Sequence, residues 1–438
     1  MKKVAVFGSG MVARPAIQTL LETGHGVVVA TDQPEVGEKL LGGSPHGQVR
    51  GVDATNAADV RSVVAECDLA ISLLPVAFHV RVAEACVAER KSFVTTSYVS
   101  EEMQGLHETA KRREVLLLNE IGADPGIDHM QAMRLLDGLR AEGARITGFR
   151  SLCGGIPAPE ANDNPFGYKL SWSPRGVVLA GMRPARFIDH GAIQHVEAVD
   201  IFRNPRPIAV QELGELESYP NGDSVRFESE YGLEDPQTFI RGSLRWPGWC
   251  DTWACLSSLG WIDDAPDAAL DDTTFGAEML RATAGRPDET PRAAAARALR
   301  RPESDAVLDR LEWLGLFSTD PVPANARSRA DLLVDRMGAR MKYADGERDM
   351  LVLHHEIDFE DAAGQPGVLI AQTMEYGVPG GDSAMSRTVG IPAGFAARRI
   401  LDGTIQRSGV RIPITPDMYN PLLADLASVG IEETVIRR

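Results

Sequence analysis

The 438-residue sequence predicts an α/β protein: a doubly wound parallel sheet, a second mixed α+β domain and a small helical insertion. Three observations carry that prediction. Short apolar runs alternate with helical patterns from residue 4 to 118, the rhythm of a parallel sheet with helical crossovers. The first run breaks at glycines and restarts at once as a helix. From 144 to about 250 the pattern changes to short extended runs rich in Pro, Gly and aromatic residues, and 251–345 is rich in Ala, Arg and Leu at helical spacing.

Val4-Ala5-Val6-Phe7 suits a buried strand; it stops at Gly8-Ser9-Gly10-Met11-Val12-Ala13, and a helical pattern continues through Thr23. Gly8 permits a tight turn, Gly10 lets backbone approach a pyrophosphate, and Ala13 allows close packing of helix on strand. The helix N-terminus adds free N–H groups and partial positive charge. The strand at 27–30 ends at Thr31-Asp32, which puts a carboxylate 24 residues after Gly8, where a Rossmann-type fold grips the adenosine ribose. A carboxylate accepts from two ribose hydroxyls and repels a 2′-phosphate, so NAD is expected over NADP.

Strands follow at 48–52, 69–74, 92–95 and 115–118, with helices at 57–66, 78–89 and 101–113. Their carboxyl ends, at Asp53, Leu74, Thr96 and Asn119, put the next loops along one edge of the sheet, where open α/β folds bind ligands. Further on, strands are expected near 350–359 and 368–374, a helix at 383–401 and another at 416–429. In the first of these strands, alternation puts His354 and His355 on opposite faces, so the pair cannot chelate together.

Composition narrows the class. Hydrophobic content of 44% and charged content of 24% are those of a globular protein, and a net charge of −17 argues against nucleic acid or an anionic membrane as partner. No apolar stretch approaches the roughly 20 residues that span a bilayer, and no signal-type region precedes the first strand, so a cytoplasmic protein is expected. Five cysteines form neither a CxxC pair nor an even disulfide framework and read as reduced thiols; no metal-ligand spacing is present.

Three loops could carry chemistry. In Thr95-Thr96-Ser97-Tyr98-Val99-Ser100, Ser100 before Glu101 and Glu102 reads as a helix N-cap, whereas Ser97 and Tyr98 lie at the ligand edge. In 119–129, Asp124 before Pro125 fits either an N-cap or a functional carboxylate. The segment 151–169 concentrates turn-formers beside aromatics, and its Cys153 is a packing residue or a reactive thiol.

The strings TTSYVS at 95–100, NEIGADPGIDH at 119–129, CGGIPAPEANDNPFGYKLSWSPRG at 153–176, YPNGDS at 219–224, RGSLRWPGW at 241–249, ERDM at 347–350, GDSAMSRTVGIP at 381–392 and ILDGTI at 400–405 resemble the glutamate-forming saccharopine dehydrogenases over nearly the whole chain. The resemblance implies oxidation of a secondary amine to an imine that water splits into glutamate and aminoadipate semialdehyde. It implies a homodimer with an amino-acid substrate, built from a dinucleotide domain (1–128), a substrate and dimerisation domain (129–250 with 346–382) and a small helical domain (251–345), with 383–438 returning to the first. It places Gly8, Ser9, Gly10, Met11 and Val12 on the phosphates and Leu74 and Ser97 near the nicotinamide; Asp32, by its spacing, together with Asp53 and Ser173, completes the cofactor candidates. Asp124, Tyr98 and Cys153 become the catalytic candidates, and Ser97, Tyr98, Asp124, Ser243, Leu244 and Arg245 the substrate contacts.

Gly222 departs from the family's usual arginine, which removes a two-pronged clamp on a substrate carboxylate. Arg241, Arg245, Lys169 and Arg203 are the cations available to compensate. The departure leaves open a related opine-type or carboxy-polyamine dehydrogenase acting on a less acidic amine, and a nucleotide-binding regulator without catalysis.

Overall fold

The computed structural model describes residues 1–270 and 272–438. They form two compact units, one of residues 1–145, 361–365 and 373–434, the other of 146–360, 366–372 and 435–438. The chain opens with β1 (Lys3–Phe7), α1 (Ala13–Glu22), β2 (Gly26–Thr31), α2 (Pro34–Leu41), β3 (Gly47–Gly51), α3 (Ala57–Ala65) and β4 (Leu69–Ser72). It continues with α4 (His79–Glu89), β5 (Ser92–Thr95), α5 (Glu101–Gly105), α6 (His107–Arg112), β6 (Leu116–Leu118) and α7 (Ile127–Ala141). Next come β7 (Arg145–Pro157), α8 (Pro174–Ala180), β8 (Ala185–Asp189), β9 (Ala192–Val196), β10 (Arg206–Val210), β11 (Gly214–Pro220), α9 (Arg226–Glu230) and β12 (Thr238–Arg245). A helical stretch follows with α10 (Trp249–Ser258), α11 (Phe275–Ala282), α12 (Pro291–Leu299), α13 (Ala306–Leu314) and α14 (Arg329–Arg340). The chain ends with β13 (Asp349–Glu360), β14 (Pro366–Tyr376), α15 (Ala384–Leu401), β15 (Gly409–Arg411), α16 (Pro416–Ala427) and β16 (Thr434–Arg437).

The first unit is built on a parallel sheet in the order β15-β6-β5-β4-β1-β2-β3. The strand order reverses between β1 and β4, and a doubly wound sheet opens its ligand crevice at that point, beyond the carboxyl ends. Val4, Ala5, Val6 and Phe7 are fully buried, as a central parallel strand covered on both faces requires. The C-terminal region joins this unit through β15, which pairs with β6, and through α15, which lies close against α1. Two glycines allow that approach: a Cβ at Gly390 would fall 2.5 Å from the Val12 carbonyl, and one at Gly394 2.8 Å from Thr19 Cβ.

Two expectations shift at element ends. The helix expected over 101–113 divides into α5 and α6 at Leu106, where α5 ends in a tight turn with Leu106 N–H donating to the Met103 carbonyl at 3.0 Å. Asp124 is not a helix cap: α7 starts at Ile127, and Gly126, at φ 147°, occupies the cap position in a loop so tight that a Cβ there would lie 2.1 Å from the Gly122 carbonyl oxygen. The expected cap at Ser100 is present, its Oγ accepting from Met103 N–H at 3.1 Å.

The second unit contains most of a mixed sheet ordered β10-β11-β12-β7-β13-β14-β16, with β8 pairing to β12 and β9 to β8. Phe149, Tyr231 and Phe239 pack edge-to-face and stacked within 5.4–5.8 Å in its core. Across β11, β12 and β7, Tyr219, Ser243 and Cys153 fall into one register row. Neighbours in a row share a face of the sheet, so alternation puts Arg245 on that face as well.

Candidate active site

The loop after β1 has the form an anion needs. Gly8 has φ 105°, and a Cβ there would lie 2.9 Å from the Leu73 carbonyl oxygen, so only glycine lets this turn nest against the end of β4. Gly10 faces open space. α1 begins with no side-chain cap and no acidic residue in its first turn, which leaves its N–H groups for an external anion. A pyrophosphate fits these residues. Ser9 Oγ lies 2.7 Å from Thr31 Oγ1, which ties the loop to the end of β2, while Met11 stands 63% exposed. Asp53, at the end of the third strand's loop, accepts from the Thr55 hydroxyl and amide at 2.7 and 2.8 Å, and these bonds hold its carboxyl below the usual range.

Along the same carboxyl edge, Tyr98 Oη donates to Asp124 Oδ1 at 2.9 Å. Sequence reading named both residues; the fold brings them together across 26 positions. Two residues it gave no role hold their loops. Glu120 Oε1 accepts from the Val99 amide at 3.0 Å, and Glu120 Oε2 meets His129 Nε2 at 2.7 Å, with both side chains buried. One carboxylate thus links the residue after Tyr98 to the helix that follows Asp124. His79 is the third unheralded residue, its ring joined to Ser72 and Ser97. The only sequence signal for it was a histidine following a strand's carboxyl end.

In the second unit the notable group is Arg245, 7% exposed and ringed by Tyr168, Tyr219 and Trp249 at 5.3–5.8 Å. Its Nη1 donates to the Leu244 carbonyl at 2.7 Å, its Nε has no partner, and no acidic side chain pairs with it among the described residues. A buried guanidinium without a counter-ion is costly, and a ligand carboxylate removes that cost. Of the other cations, Lys169 is held by Asp163 and Glu347 at 2.8 and 2.7 Å, and Arg203 by Asp200 at 2.6 Å. Arg241 stacks over Phe227 at 4.4 Å. Gly222 has φ 62°, a left-handed conformation that favours glycine, and faces open space. Ser173 caps α8 by accepting from Gly176 N–H at 3.2 Å, and Leu244 is fully buried.

Among the described residues no cluster of three His, Cys, Asp or Glu is set to hold a metal, and no helix is long and apolar enough to cross a membrane.

Two family models account for the chain: the saccharopine dehydrogenase NADP binding domain matches residues 4–118, and the saccharopine dehydrogenase C-terminal domain residues 122–431. Saccharopine dehydrogenase [NADP(+), L-glutamate-forming] of Schizosaccharomyces pombe is 34% identical over 100% of this chain and 99% of its own. The enzyme of the same name from Pyricularia oryzae is 34% identical over 98% of each chain. The apo saccharopine dehydrogenase (L-Glu forming) structure from Saccharomyces cerevisiae superposes with a TM-score of 0.92 at 31% identity over the full length of both. These findings overturn the preference for NAD drawn from Asp32, since the matching domain and relatives are named for NADP. The structure supplies the physical reason. The last residue of β2, tied to the phosphate loop, is Thr31, a hydroxyl; Asp32 lies beyond the strand end, exposed, where water screens its repulsion of a phosphate.

Proposed function

Because the chain belongs to the saccharopine dehydrogenase family, we propose that it is an NADP-dependent oxidoreductase that cleaves the secondary amine of saccharopine to L-glutamate and 2-aminoadipate 6-semialdehyde, or joins them in reverse. The observation that carries the reading is a phenol and a carboxylate, Tyr98 and Asp124, bonded at 2.9 Å on the carboxyl edge of a nucleotide-binding sheet.

The nucleotide, when bound, supplies the hydride acceptor. Gly8, Ser9, Gly10, Met11 and Val12 would hold its phosphates, Leu74 and Ser97 its nicotinamide end, and Asp32 and Asp53 its adenosine end. Asp124 takes the proton from the substrate ammonium so that the nitrogen lone pair can drive oxidation to the imine. Once that proton has passed to solvent, the regenerated carboxylate draws a proton from the water that adds to the imine carbon and returns it to the nitrogen as the C–N bond breaks. Net, saccharopine, oxidised nucleotide and water give glutamate, semialdehyde, reduced nucleotide and one proton. Tyr98 donates to the ionised form of Asp124 and orients it. Arg245 offers its fork to a carboxylate, its planar charge held by Tyr168, Tyr219 and Trp249. Ser243 and Cys153, neighbours in the same row, present a hydroxyl and a thiol beside it, and the Leu244 carbonyl fixes one guanidinium nitrogen. Ser173 belongs to the capped turn of α8.

The test is absorbance of the reduced nucleotide with saccharopine and NADP, and with glutamate, semialdehyde and NADPH. Asp124→Asn is expected to lose about a hundredfold or more in kcat while keeping its affinity for NADPH. Turnover of a polyamine pair with none of saccharopine would overturn the reading. We also assign a homodimer, and sedimentation velocity giving the mass of a single chain would remove it.

A further inference from the structure

His79 opens α4 and is 4% exposed, and both of its ring nitrogens are engaged. Nδ1 lies 2.8 Å from Ser72 Oγ, and Nε2 lies 2.8 Å from Ser97 Oγ. Ser72 ends β4 and is fully buried, and its hydroxyl has no other partner among the described residues. Were Ser72 to accept from a protonated Nδ1, its own proton would be left buried and unbonded, which costs more than the hydrogen bond gains. Ser72 therefore donates to Nδ1. The ring proton then sits on Nε2 and is given to Ser97 Oγ.

Two neighbours support that assignment. Thr95 Oγ1, 3.5 Å from Nδ1, spends its proton on the Ser72 carbonyl at 2.9 Å and does not compete. Burial pulls the His79 pKa to about 4, and the N-terminus of α4 also disfavours positive charge, so the ring stays neutral and keeps one acceptor nitrogen. Ser97, half-buried two residues beyond β5, thus receives one hydrogen bond and keeps its own proton to give.

We propose that His79 is a positioning residue that fixes Ser97 as a hydrogen-bond donor to a ligand oxygen, either the carboxamide oxygen of the nicotinamide or a carboxylate of the amino-acid substrate. This deepens the proposed function and rests on it for the identity of the ligands. The relay has a polarity: Ser72 gives to His79, His79 to Ser97, and Ser97 to the ligand.

The polarity can be read and then broken. Nitrogen-edited NMR of histidine-labelled wild-type protein, with the His79 signal identified by its absence in His79→Gln, should show a protonated Nε2 and a bare Nδ1; a protonated Nδ1 overturns the proposal. Asparagine at 79 reaches Ser72 but not Ser97, whereas glutamine reaches Ser97. His79→Asn and Ser97→Ala are each expected to weaken ligand binding about tenfold, the double variant no further, and His79→Gln to recover most of the loss. NADPH affinity by fluorescence titration and the KM for saccharopine separate the two oxygens. A loss in NADPH affinity identifies the carboxamide, and a raised KM with intact NADPH affinity identifies the carboxylate. Losses that multiply in the double variant, or a Ser97→Ala protein unchanged in both readouts, overturn it. NADPH binding without turnover of saccharopine would sink the functional reading and leave the relay standing.

Discussion

Single residues at the carboxyl edge act through bonds that a substitution can remove one at a time. Glu120 joins the Val99 amide to His129 with both side chains buried, so Glu120→Ala should cost about 1–3 kcal/mol in urea unfolding, the penalty of leaving buried hydrogen-bond partners unsatisfied. His79 gives a pH signature. Its pKa falls from 6.5 in the unfolded chain to about 4 in the fold, so its contribution is present above 6.5 and lost as pH falls toward 4. Over that window the loss is about 3 kcal/mol, and the stability of His79→Gln should be flatter there, as urea midpoints at a series of pH values will show. Legibility at this scale was uneven. Tyr98, Asp124 and Arg245 stood in strings that resemble a known family, but nothing in the sequence said that Tyr98 would donate to Asp124. His79 and Glu120 were missed because their importance lies in partners 18 and 9 or more positions away, which only the folded chain brings within reach.

At the scale of elements, helix packing depends on what a glycine leaves out. α15 presses on α1 so closely at Gly390 that an alanine Cβ would meet the Val12 carbonyl at 2.5 Å. Gly390→Ala should therefore destabilise by about 1–3 kcal/mol and weaken NADPH binding, because Val12 lies in the glycine loop proposed to hold the phosphates. Gly138→Ala makes the opposite case: it is exposed within α7 and meets nothing within 4 Å, so it should stabilise by about 0.5–1 kcal/mol. Thermal melts of the two variants check both signs. The sheet and its helices were readable because alternating apolar runs and helical spacing are local signals; β1, β2, β4 and β5 fall within a residue or two of the expected runs. The start of α7 was not. Asp124 before Pro125 has the composition of a cap, but the loop's tertiary contacts put its carboxylate on Tyr98 and the helix start at Ile127.

For the molecule as a whole, ligand binding and stability are linked. NADPH at a hundredfold its Kd should add about 2.7 kcal/mol to the stability of the unit that binds it and raise its thermal midpoint by several degrees, which calorimetry can measure. An unmoved midpoint would contradict the nucleotide site. The sequence by itself determined the doubly wound parallel sheet, the glycine loop at its first turn and the family, because periodicity and short motifs are properties of neighbours along the chain. It did not determine the nucleotide. Asp32 at the right spacing pointed to NAD, whereas the residue tied to the loop is Thr31, and the chain's relatives are named for NADP. Only the tertiary structure decided which cation lacks an acidic partner. Lys169 and Arg203 are neutralised by carboxylates, and Arg245 is walled by aromatic rings. Charge compensation is set by distances of a few ångströms between segments far apart in sequence, and those distances come into being only when the chain has folded.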